Sequence, residues 1–188
     1  MKRLLASLSI CLGALAASSA TAGTFTIINP GPASTFNFSV DVLNNDGFDL
    51  LKITFDLSGT TSLAGGVPLV FDSAFGVTPP AGGTAVGFGV SGGATCGFDF
   101  TGFNAGDSVG FSWDPDIAGD PSYGAVLSEA VGTKVTLVTS GGTVSGVMSL
   151  NARGDLVAVI DSPLPEPATL ALAGLALLGL GWSRRAWA

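Results

Sequence analysis

An all-β fold, an antiparallel β-sandwich or jelly-roll-like body of about ten short strands, follows from three features of the sequence. Apolar and polar residues alternate with a period of two through the middle of the chain, the pattern of a strand with one face in a core and one in water. Clusters of Gly, Pro, Asn and Asp fall between the alternating runs, where hairpins and loops need them for backbone geometry. No apolar stripe of helical period reaches the length of an ordinary helix between residues 23 and 163, and the 28 glycines suit a chain of many turns.

The first clear run places Phe36, Phe38, Val40 and Val42 on one face and Thr35, Asn37, Ser39 and Asp41 on the other. Asn45-Asp46-Gly47 then turns the chain. Ile53, Phe55 and Leu57 alternate with Lys52, Thr54 and Asp56. Pro79-Pro80-Ala81-Gly82-Gly83 makes a second turn. Cys96, Phe98 and Phe100 share a parity opposite to Gly97, Asp99 and Thr101, so the thiol belongs on the apolar side. Val109, Phe111 and Trp113 alternate with Ser108, Gly110, Ser112 and Asp114 before the turn Gly119-Asp120-Pro121. Residues 122–131 have room for a turn or two of helix. Ser140-Gly141-Gly142 is a hairpin signal, and the unbroken apolar run 156–160 reads as a strand buried on both sides. No fixed-period repeat suggests a solenoid or propeller.

Composition narrows the function. Charged residues are 11% of the chain and 47% is hydrophobic, which excludes a disordered acidic tail. The formal net charge is −7. Residues 23–167 hold all fourteen acidic side chains against Lys52, Lys134 and Arg153, a balance of −11. Such a surface repels nucleic acid and can attract divalent cations. There is no histidine, which removes imidazole bases, His triads and His-ligated zinc.

The two ends lie outside this body, giving three segments: 1–22, 23–163 and 164–188. Lys2 and Arg3 precede an apolar run over 4–17 and the small-residue stretch Ser18-Ser19-Ala20-Thr21-Ala22. This is the layout of a secretory signal peptide cut between Ala22 and Gly23. Cys11 leaves with it, so Cys96 has no disulfide partner. At the other end, Pro165-Glu166-Pro167 is followed by fifteen uncharged residues, 168–182, and then by Arg184 and Arg185. As a helix, 168–182 rises about 22 Å, short of a hydrocarbon core of roughly 30 Å. Interfacial Trp182 and the arginines could extend that reach, and Arg184 and Arg185 stay cytoplasmic by the positive-inside rule.

A Pro-Glu-Pro motif, a short apolar helix and a terminal arginine cluster resemble the PEP-CTERM sorting signal of Gram-negative bacteria. Flanking prolines keep the recognition segment extended; the apolar run holds the chain in the inner membrane and the arginines stop its transfer. The resemblance implies processing by a membrane-embedded exosortase near Pro165, Glu166 and Pro167, and delivery to the cell surface or an extracellular matrix, often one rich in exopolysaccharide. The segment 101–120 also resembles a Gly-Phe…Gly-Asp…Phe-Ser…Asp-x-Asp pattern found in bodies of such proteins.

Candidate chemistry in the body is sparse. Asp107, Asp114, Asp116 and Asp120, read as a loop, a strand and an acidic exit loop, could gather oxygens for calcium. An EF-hand loop begun at Asp114 fails at Ala118 and Ala125, and a solvated acidic turn is the plainer reading. Asn45-Asp46-Gly47-Phe48-Asp49 invites the same reading. A serine nucleophile would need Lys52 or Lys134 as base, and both occupy solvent-facing strand positions. A glycosidase needs two placed carboxylates, and nothing pairs Glu129 with a particular aspartate. For sugar stacking the aromatics are Trp113, which shares core parity, and Tyr123, the freer of the two on a loop. The expectation is a non-enzymatic surface or matrix protein without a cofactor. A carbohydrate- or calcium-binding adhesion module is the alternative, and a secreted hydrolase comes third.

Overall fold

The computed structural model describes residues 24–30, 38–89, 92–120 and 122–161, all within the compact unit Gly23–Ser162. The alternating runs become strands, in chain order β1 (Thr24–Asn29), β2 (Phe38–Asn44), β3 (Leu50–Asp56), β4 (Leu69–Phe75), β5 (Thr84–Phe88), β6 (Thr95–Thr101), β7 (Ser108–Ile117), β8 (Lys134–Thr139), β9 (Gly142–Val147), β10 (Ser149–Leu150) and β11 (Leu156–Asp161). No helix occurs among the described residues; 122–131 forms loop and turns.

Every strand pairing is antiparallel. One sheet has the order β10-β11-β1-β2-β7-β4 and the other β5-β6-β3-β8-β9. Apolar residues of matching parity turn inward from both. Val40 and Val42 of β2, Ile53 and Phe55 of β3, Phe98 of β6, and Phe111 and Trp113 of β7 are all buried. Aromatic rings join the two sheets: Phe55 of β3 lies 5.5 Å from Phe111 and 5.1 Å from Trp113, and Phe98 lies 4.7 Å from Phe111. Each such ring removes enough apolar surface from water to contribute about 1.5–3 kcal/mol. The contacts place two sheets face to face, as a sandwich requires.

The expected turns carry the connections. The β8–β9 hairpin pairs Thr139 with Gly142 across Ser140-Gly141. Thr139 accepts the Gly141 N–H on its hydroxyl oxygen and donates to the Gly142 carbonyl. Gly97 shows why β6 cannot carry a side chain at that position. A Cβ there would stand 2.0 Å from the Ile53 carbonyl oxygen and 2.7 Å from the Phe88 ring, far inside any van der Waals contact.

One strand departs from expectation. The run 156–160 is buried on one face only, with Leu156, Ala158 and Ile160 inward and Val159 60% exposed. Its apolar continuity reflects the β-branched preference of a pleated surface rather than a second covered face.

Candidate functional site

The chemistry of the body gathers around β7. With Val109, Phe111 and Trp113 facing the core, the even positions Asp114 and Asp116 share the other face. Both lie within the strand rather than in an exit loop after it. Pro115 stands between them. A proline offers no N–H to the ladder, so a partner strand must break register there. The β4–β7 pairing does so: Phe71 opposes Pro115, Ser73 opposes Asp114, and Asp72 is the extra, bulged residue. Phe71 exchanges hydrogen bonds instead with the 92–93 backbone, its N–H donating to Gly93 and its carbonyl accepting from Gly92.

The bulge brings Asp72 beside Asp114 and Asp116, and one carboxylate oxygen from each lies within 4.8 Å of the others. Asp72 is exposed, Asp114 half-buried and Asp116 only 2% exposed. Asp114 Oδ1 and Asp116 Oδ2 are buried with no hydrogen-bond partner. Burial, then the Asp72 charge, pushes the Asp114 carboxyl up. Burial, followed by the charges of Asp114, Asp72 and Asp120, pushes Asp116 up to about 6.

Asp120 lies just beyond, in a turn opened by Gly119 at φ 90°. Its Oδ1 accepts from the Ser122 hydroxyl at 2.6 Å and from the Ser122 N–H at 3.1 Å, and these bonds hold its carboxyl below the usual range. Asp107 does not join the group. It precedes β7, whose length puts it about 30 Å from Asp116. There it closes the preceding turn, its Oδ2 accepting the Asn104 N–H at 2.8 Å. The fourfold aspartate set therefore resolves into Asp114 and Asp116 together, Asp120 beside them and Asp107 apart. Asp72 enters in its place. No local spacing announces Asp72, but a proline inside an alternating strand signals a bulge opposite it.

Glu129 forms a second polar centre. It is 4% exposed. Its Oε1 accepts from the Leu63 N–H at 2.6 Å and from the Tyr123 hydroxyl, and its Oε2 accepts the Val126 N–H at 2.6 Å. The carboxylate thereby ties the loop before β4 to the segment leading into β8. Tyr123 lies on a loop and is freer than Trp113, as expected, but it is half-buried against the core and fastened to Glu129. The bond to Glu129, followed by burial, raises its hydroxyl above the ordinary range. Trp113 is fully buried, 5.1 Å from both Phe55 and Phe71.

Lys52 and the thiol are engaged or enclosed, and Lys134 is not. Lys52 pairs with Asp99 at 3.2 Å and sits 4.0 Å over the Phe88 ring; Lys134 is exposed at the start of β8. Cys96 is fully buried, and burial pushes its thiol up, away from the reactive thiolate.

The sorting residues Pro165, Glu166 and Pro167, the arginines Arg184 and Arg185, and the signal-cleavage pair Ala22 and Gly23 lie outside the described residues. Comparison with protein families bears on the first two groups. A family model described as the PEP-CTERM protein-sorting motif matches residues 163–185. The chain carries that motif, and the motif implies an exosortase-sorted extracellular protein held at the membrane before processing. No curated protein and no solved structure matches the chain.

Proposed function

We propose that this chain is a non-enzymatic structural protein of the cell surface or of an exopolysaccharide-rich biofilm matrix in a Gram-negative bacterium. The sorting motif at 163–185 carries the reading. The signal peptide starts export and is cut between Ala22 and Gly23. The apolar segment 168–182 then holds the chain in the inner membrane, with Arg184 and Arg185 on the cytoplasmic side. Exosortase acts near Pro165-Glu166-Pro167 and frees the body from its anchor, as with other removable C-terminal tails.

Several features support a body without catalysis. The chain has no histidine. Glu129, the body's one glutamate, holds three donors, and Lys52 is engaged by Asp99 and Phe88. The aromatics that would stack on a sugar, Trp113 and Tyr123, are core or fastened to it, which favours a matrix component over a carbohydrate-binding module.

The test is Glu166→Ala with both prolines kept. Insertion should persist while processing fails, so the variant accumulates in the membrane and is lost from the surface and matrix fraction that holds the wild type. Equal partition of the two proteins, both retaining their tails, would identify an ordinary single-pass anchor instead.

A further inference from the structure

The trio on β4 and β7 poses a physical problem. Two buried carboxylate oxygens, on Asp114 and Asp116, have no hydrogen-bond partner, and Asp72 adds a third negative charge within 4.8 Å. Burying such a group without compensation costs more than most single interactions return. A basic side chain would offset it, but the ion pairs among the described residues are Lys52–Asp99 and Arg153–Asp155. A proton on Asp116 would remove one charge and leave those of Asp114 and Asp72 side by side. A cation would meet all three at once.

The geometry favours one kind of cation. The donors are carboxylate oxygens, which select hard ions over the metals that prefer nitrogen or sulfur. Oxygens bound to one calcium at about 2.4 Å stand at most about 4.8 Å apart. The trio already falls within that span. Its placement is fixed by backbone rather than by chance side-chain approach: Pro115 forces the bulge, and the bulge presents Asp72. Asp116, 2% exposed, forms the floor and exposed Asp72 the rim.

We propose that Asp72, Asp114 and Asp116 bind calcium, with water completing the six to eight oxygens it takes. The ion would tie β4, the terminal strand of its sheet, to β7 across the one place where proline interrupts their ladder. The affinity belongs with the weak extracellular sites, about 10⁻⁴–10⁻³ M. This inference is independent of the sorting reading, since it concerns the folded body alone.

The experiment uses the full chain in detergent, stripped with a chelator and titrated with calcium chloride at neutral pH, read by calorimetry and by melting temperature. Magnesium chloride serves as the comparison. Saturable heat and a rising melting temperature with calcium are expected, with a weaker response to magnesium. Asp72→Asn, at an exposed position, should weaken binding about tenfold or more. Asp116→Asn should abolish binding while the chelated variant melts no lower than wild type, separating loss of the site from loss of the fold. No heat and no melting shift at about 10 mM calcium, an order above the weakest extracellular sites, would overturn the proposal. So would calcium binding that is unchanged in both variants, and an equal response to magnesium would overturn the assignment to calcium.

Discussion

Glu129 and Asp116 are carboxylates buried to nearly the same degree, 4% and 2% exposed, in opposite circumstances. Three donors converge on Glu129, two of them backbone N–H groups. Asp116 has an oxygen with no donor at all and two further carboxylates as neighbours. Burial alone therefore does not say what a buried acid does. The groups aimed at it decide, and here they separate a structural clasp from a candidate binding site.

The comparison can be broken most forcefully at Glu129. Glu129→Ala strands the Leu63 and Val126 N–H groups and the Tyr123 hydroxyl, and should cost about 3 kcal/mol in chemical denaturation. Glu129→Gln, which keeps the shape and one acceptor oxygen, should fall between the variant and wild type. Loss of less than about 0.5 kcal/mol in Glu129→Ala would show that the clasp contributes little. Tyr123→Phe removes one of the three donors and should lower the melting temperature by less than Glu129→Ala does. A drop as large as that of Glu129→Ala would mean that the Tyr123 hydroxyl, not the two backbone N–H groups, carries the clasp.

At Asp116 the expected sign reverses. In chelated protein, Asp116→Asn should stabilise the fold by on the order of 1 kcal/mol, because an unpaired buried charge is removed. The same difference appears against pH. The Asp116 carboxyl is raised from 3.8 to about 6 in the folded chain, so the folded state keeps a proton that the unfolded state has released. That contribution is complete below the unfolded value and is lost as pH rises through about 6. Chelated wild type should thus melt higher near pH 5 than near pH 7, and Asp116→Asn should shrink the gap. Asp120, whose carboxyl is held below the usual range, acts at lower pH; Asp114, pushed up by burial and then by the Asp72 charge, acts in the same direction as Asp116, so the gap shrinks without closing. An unchanged gap in Asp116→Asn would place the titration elsewhere.

Most of the fold was legible because period-two alternation states which residues face inward. Val40, Ile53, Phe55, Phe111 and Trp113 lie where parity puts them, and so does Cys96. The turns at Asn45-Asp46-Gly47 and Ser140-Gly141-Gly142 follow from residue chemistry in the same way. What stayed hidden depends on pairing between distant strands. Asp72 reaches the site through a bulge opposite Pro115, and Glu129 is engaged by a backbone N–H more than sixty residues earlier in the chain. Asp107 misled because nearness in sequence is stretched to its limit by an extended strand. The tail is the reverse case. Its Pro-Glu-Pro motif, apolar run and arginines are contiguous, so sequence alone identifies it and the family model agrees.

The central claim is that the chain is sorted and its anchor removed. The most direct measurement is the intact mass of the wild-type protein recovered from outside the native cell. Removal of the signal peptide before Gly23 and loss of Arg184 and Arg185 together with the apolar segment 168–182 would give the mass of the body alone. A recovered protein whose mass still includes Arg184 and Arg185 would contradict the claim and leave a permanent membrane anchor in its place.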